Sequence, residues 1–176
     1  MTIFTNKMWS LKVMYLCLFM TFGFSETQAA HVHGQANMTI AMDRQTVVVE
    51  VSIPGFDVVG FEHEPADSQQ VLAIDTAIEA LKDTDNWLSF EQGSCQKGDV
   101  NIENPLAPAE SEGHSKHQNF EIVVHYMCDN PNELRSMILT IHHEFPSIEE
   151  TEVQWLIHDK QGLSTVTKQH EKVRFR

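Results

Sequence analysis

Basic residues are scarce in this 176-residue chain: 12 Lys and Arg stand against 25 Asp and Glu, a net charge of −13 with histidine neutral. So acidic a surface repels phosphate backbones, which argues against nucleic acid and anionic membranes as partners, and it attracts divalent cations. Cysteine is sparse too. There are three, and none has the C-x-x-C partner that thiol sites and redox enzymes normally show. Catalytic signatures are missing: "HHEFPS" has Ser147 where H-E-x-x-H needs its second histidine, and no G-x-S-x-G, P-loop or G-x-G-x-x-G occurs. No enzymatic activity is expected. The apolar run Val13–Phe24 ("VMYLCLFMTFGF") is too short to read as a spanning helix.

That run has the setting of a secretory signal peptide. Lys7 and Lys12 precede it and a polar "SETQAA" follows. Cleavage is expected after Ala29, with Thr27 at −3, rather than after Ala30, which would put Gln28 there. With no cysteine near the cut, a lipid anchor is not expected. Residues 1–29 are thus assigned to the signal and 30–176 to a single exported domain, with no membrane insertion after cleavage. Cleavage removes two of the 12 basic and one of the 25 acidic residues, leaving 10 against 24, a net charge of −14; all ten histidines remain. Cys17 departs with the signal. Cys95 and Cys128 are left in an oxidising compartment where a disulfide is the default, a thiolate metal pair being the alternative. A bridge closing about 33 residues contributes roughly 3–4 kcal/mol in the chain-entropy model.

Periodicity predicts an α+β domain, mostly antiparallel sheet with one main helix packed on it. "QANMTIAMD" alternates Ala36, Met38, Ile40 and Met42; "TVVVEVSIP" alternates Val47, Val49, Val51 and Ile53; "DRQ" between them reads as a hairpin turn. In "SQQVLAIDTAIEALKD", Val71, Ile74, Ile78 and Leu81 form one helical stripe, with Asp67 and Gln70 as a capping box. "FDVVGFEHEP" looks irregular. "FEIVVHYMC" is a strand with Phe120, Ile122, Val124, Tyr126 and Cys128 on one face, and "MILTIHHEF", "TEVQWLIHD" and "GLSTVTKQ" read as three more, with Gly162 in the last turn. "NPLAPAESEGHSKHQ" (104–118) has no period and reads as a solvated loop.

Histidine is the residue type present in excess, and imidazole is a preferred zinc donor outside the reducing cytoplasm. His31 and His33, in "HVHG", project to one side of an extended segment and can share a metal. His63 lies between Glu62 and Glu64. His114 and His117 stand at i, i+3 in the loop, and His125 lies on the strand face opposite Cys128. Adjacent His142 and His143 would face opposite ways on a strand, His143 in phase with Leu139, Ile141 and Phe145. His158 and His170 read as surface or turn residues. Imidazole must be neutral to bind, so metal affinity is expected to fall as pH drops through about 6.5.

The ordered set "HVHG", a strand pair, "GFEH", a Leu-rich helix end, "GSC", a His-bearing loop, "YMC" and "FPSIEE" resembles the ZrgA-type periplasmic zinc-binding proteins of bacteria across nearly all of 31–176. The resemblance implies Zn2+ as the bound ion and a zinc-uptake transporter component as a partner. It implies His31, His33 and His63 as ligands, with His114 and His117 from the loop. Many relatives carry a long His/Asp run in that loop; this chain has only "GHSKH". Two other readings follow from the residues themselves: a disulfide-stapled β-rich interaction module with incidental histidines, and a copper or nickel carrier using the extreme N-terminus.

Overall fold

A two-residue turn sets where the chain first folds back. In a computed structural model, which describes residues 32–107 and 119–176, β1 (Gln35–Asp43) and β2 (Thr46–Pro54) pair antiparallel about Arg44 and Gln45, with Arg44 at φ 55°. Ala36, Met38 and Ile40 of β1 and Val47, Val49, Val51 and Ile53 of β2 are buried, as a period of two dictates. β5 (Asn119–Cys128) pairs antiparallel with β2 and buries the five alternating residues from Phe120 to Cys128. β4 (Cys95–Glu103) pairs with β5 so that Cys95 and Cys128 are cross-strand neighbours, and they form the disulfide. On the other side β7 (Glu150–Ile157) lies parallel to β1, and β8 (Lys160–Val166) completes a six-stranded sheet in the order β4-β5-β2-β1-β7-β8. The β1–β7 pair is the one parallel pairing among the described strands.

A small antiparallel sheet lies against the same core: β3 (Leu88–Glu91), β6 (Ser136–Leu139) and β9 (Lys172–Arg174), in the order β3-β6-β9. Two helices follow β2. The first, α1 (Gly55–Val59), is one turn where an irregular segment was expected; the second, α2 (Ser68–Lys82), is the one substantial helix. Asp67 caps α2 by accepting from the Gln69 and Gln70 amides at 2.9 Å, and the Gln70 side chain reaches back to the Ala66 amide. The buried stripe is Ile74, Ala77 and Leu81. Ile78 is half-buried, and Val71, expected in the stripe, is exposed. Among the described residues no helix is long and apolar enough to cross a membrane.

The segment "MILTIHHEF" departs from the strand expected there. Only Ser136–Leu139 is strand; Ile141–Glu144 forms a helical turn, α3. The Thr140 amide donates to the Trp87 carbonyl where the ladder ends, and Pro146 soon after has no N–H to continue one. The phase of the two histidines is therefore reversed. His142 is fully buried, whereas His143 is exposed and paired with Glu171. Gly162 sits inside β8 under the Trp155 ring; the turn is at His158 and Asp159, both with positive φ.

His142 Nε2 lies 3.1 Å from Thr151 Oγ1, while Nδ1 is buried without a hydrogen-bond partner. A charged imidazole needs acceptors for both N–H groups. Burial accordingly holds the His142 pKa below the ordinary 6.5, against the pull of the Glu171 carboxylate, with His143 and Lys168 adding to the lowering. The unfolded chain takes up this proton more readily than the folded one. Stability tied to His142 is therefore complete above pH 6.5 and lost as pH falls below it. Urea unfolding between pH 8 and pH 5 should show a steeper acid-side decline in wild type than in His142→Gln, by up to about 1.4 kcal/mol per pH unit; equal slopes would refute the assignment.

Candidate metal centre

Two motif glycines set the geometry of the candidate site. Gly34, of "HVHG", has φ +83°, and a β-carbon there would stand 3.3 Å from Glu149 Cγ. Its carbonyl accepts from the amides of Glu149 (2.8 Å) and Glu150 (3.0 Å), at the start of β7. Its own amide donates to Asp57 Oδ2 at 2.8 Å, from α1. Gly60, of "GFEH", has φ +83° and ends α1 as its left-handed cap. The chain then turns through Phe61, which packs against the core, to present Glu62 and His63.

These anchors bring His33 and Glu62 together. His33 Nδ1 lies 3.9 Å from Glu62 Oε1, and the imidazole packs on Phe56 with ring centroids 4.7 Å apart. Oε1 of Glu62 is itself buried and accepts no hydrogen bond from the described residues. Two donors on a tetrahedral zinc are about 3.3–3.5 Å apart, so this pair is within about half an ångström of a chelating separation. Asp57, 4 % exposed, sits behind them with its carboxylate committed to Gly34. Burial raises its pKa above the ordinary 3.8, opposed by the Gly34 amide and by His33, while Glu62 and Glu149 push it further up. Asp57 thus feels two other carboxylates beside one imidazole, and a divalent cation would relieve that repulsion.

His63 is exposed and stacks on Phe61, centroids 5.1 Å apart. Its Nδ1–H donates to the Glu64 carbonyl at 2.8 Å, leaving the Nε2 lone pair outward. A backbone carbonyl fixing one ring nitrogen is the usual support of a metal-binding imidazole. His31, His114 and His117 lie outside the described residues, and so does most of the loop expected at 104–118. His125 is exposed on β5, six residues beyond Asn119 and so about 20 Å from that strand's start. His158 lies near the far end of β7, its Nε2 3.3 Å from the Leu134 carbonyl.

Among the described residues no three His, Cys, Asp or Glu side chains gather into a complete metal cage. What is present is the His33–Glu62 pair, with a second imidazole, His63, three residues after Gly60. Of the two carboxylates, Asp57 escaped the sequence-based assignment. The "GFEH" motif held Glu62 in plain view as a co-ligand candidate, but Asp57 lies in a segment that lacked any helical period.

Strand topology explains why these motifs meet. Gln35 pairs with Glu150, Pro54 with Asn119 and Glu103 with Glu121. The start of β1, the end of β2, the start of β5, the end of β4 and the start of β7 therefore lie together at one end of the sheet.

Asp57 makes the first test of this geometry. Asp57→Ala strands the buried Gly34 amide and should lower stability by about 1–3 kcal/mol, while Asp57→Asn retains an acceptor and should cost much less. Amide exchange at Gly34 should accelerate in the alanine variant only. Equal exchange in both variants would mean that Asp57 does not hold the "HVHG" segment.

A model of the ZrgA family zinc uptake protein matches residues 30–175. A comparison with curated proteins finds no match.

Proposed function

The chain belongs to the ZrgA family of zinc uptake proteins, and from that premise we propose that it is a periplasmic zinc-binding protein that buffers zinc or delivers it to an uptake system. His33 and Glu62 supply the fixed half of the site. His31 and His63 supply the remaining nitrogens, with His114 or His117 as an alternative fourth ligand or in a second site. The observation that carries this reading is the His33–Glu62 pair, its buried carboxylate oxygen lacking a hydrogen-bond partner among the described residues and its backbone held at Gly34 from both sides.

Asn119, where the described residues resume after the loop, stands two strand spacings, about 10 Å, from β1. His125 has no part in this site. Export is supported by the basic, apolar and polar order of residues 1–30, and the disulfide fits an oxidising compartment.

Calorimetric zinc titration at about pH 7.5 tests the reading. Sub-micromolar binding should weaken at least tenfold in His33→Ala, clearly but less in Glu62→Gln, and not at all in His125→Ala. Binding no tighter than millimolar in wild type would leave the histidines incidental and favour the interaction-module reading.

A further inference from the structure

In a chain with so few cations, half of those beyond residue 29 gather in one place. β9 and the residues after it alternate Lys172, Val173, Arg174, Phe175 and Arg176, the three cations exposed and the two apolar residues buried. Phe175 meets Trp155 edge-on, centroids 5.4 Å apart, and its amide donates to the Arg135 carbonyl at 2.8 Å. The row is therefore held rigidly, its charges about 6.7 Å apart along the strand. Two clefts flank it and share Arg135 and Phe175; one is lined also by Lys172, Arg174 and Arg176, the other by His158 and Lys160.

Little of this charge is neutralised. Lys172 is paired with Glu91, whose carboxylate also accepts from Ser136 at 2.6 Å. The Arg135 guanidinium bonds only to carbonyls, those of Asn132 (2.6 Å) and Leu134 (3.0 Å). Among the described residues Arg135, Lys160, Arg174 and Arg176 make no salt bridge. β9 is an edge strand of its sheet.

We propose that β9 and its two flanking clefts are a docking surface for an extended, carboxylate-rich segment of a partner protein. Carboxylates on every second residue of such a segment would match the spacing of the cation row. A grooved surface suits a single chain better than a flat bilayer, and the acidic remainder of the protein opposes approach to anionic lipid. The Ile157 end of β7 reaches one of these clefts, whereas its Glu150 end adjoins Gly34. About seven strand residues, some 24 Å, separate docking from metal binding. A partner held here leaves the metal centre open.

The test uses the purified, metal-free protein and a fluorescent peptide of about twelve residues alternating Glu and Thr, with affinity read by anisotropy at low and high salt. Wild type should bind, and should weaken by roughly tenfold or more as salt is raised to several hundred millimolar. Arg174→Glu/Arg176→Glu should lose binding at least tenfold with zinc affinity unchanged, and Arg174→Gln/Arg176→Gln should show a smaller loss of the same sign if charge reversal disturbs folding. Lys82→Glu, on α2, should bind as wild type does. Equal affinity in the paired Arg variants, no binding by wild type at low salt, or binding to phosphatidylglycerol vesicles in preference to the peptide would overturn the proposal.

Discussion

The peptide group at Gly34 is the constraint on which the candidate metal centre depends. Its amide is held by a buried carboxylate from α1 and its carbonyl by two amides at the start of β7. The first turn of β1 is thereby fixed to segments 23 and 115 residues away. Without these bonds, His33 would belong to a fraying terminus, the default for the first residues of a domain. With them, its ring rests on Phe56 and faces Glu62. Glycine is favoured because the positive φ strains an L side chain and a β-carbon would press on Glu149 Cγ at 3.3 Å.

Electrostatics then gives this end of the molecule its chemical character. Asp57, Glu62 and Glu149 crowd one another, and burial raises the Asp57 pKa rather than providing a neutralising lysine or arginine. Among the described residues, most of the cations outside salt bridges gather instead at the other end of β7. Carboxylates thus gather near the Glu150 end of β7 and cations near its Ile157 end.

The hairpin, the β5 strand and the main helix were legible in the sequence because each carries an unbroken period over nine or more residues. Short elements were not. α1 and α3 span five and four residues, too few to display a period, and α3 was masked by the apolar spacing of "MILTIHHEF". His142 and His143 exchanged places for that reason. In β9 the same brevity hid a three-residue strand whose alternating charges make sense only once Val173 and Phe175 are seen in the core. At the candidate metal centre the motif histidines and Glu62 could be read from "HVHG" and "GFEH", but Asp57 could not. Asp57 acts through a backbone amide 23 residues away, a contact no local pattern announces.

The most direct test of the central claim is a zinc-edge anomalous difference map from crystals grown with one equivalent of zinc. The account predicts the strongest peak about 2.0–2.2 Å from both a His33 ring nitrogen and a Glu62 carboxylate oxygen. A strongest peak at His125, His158 or His170, with none at His33, would contradict it.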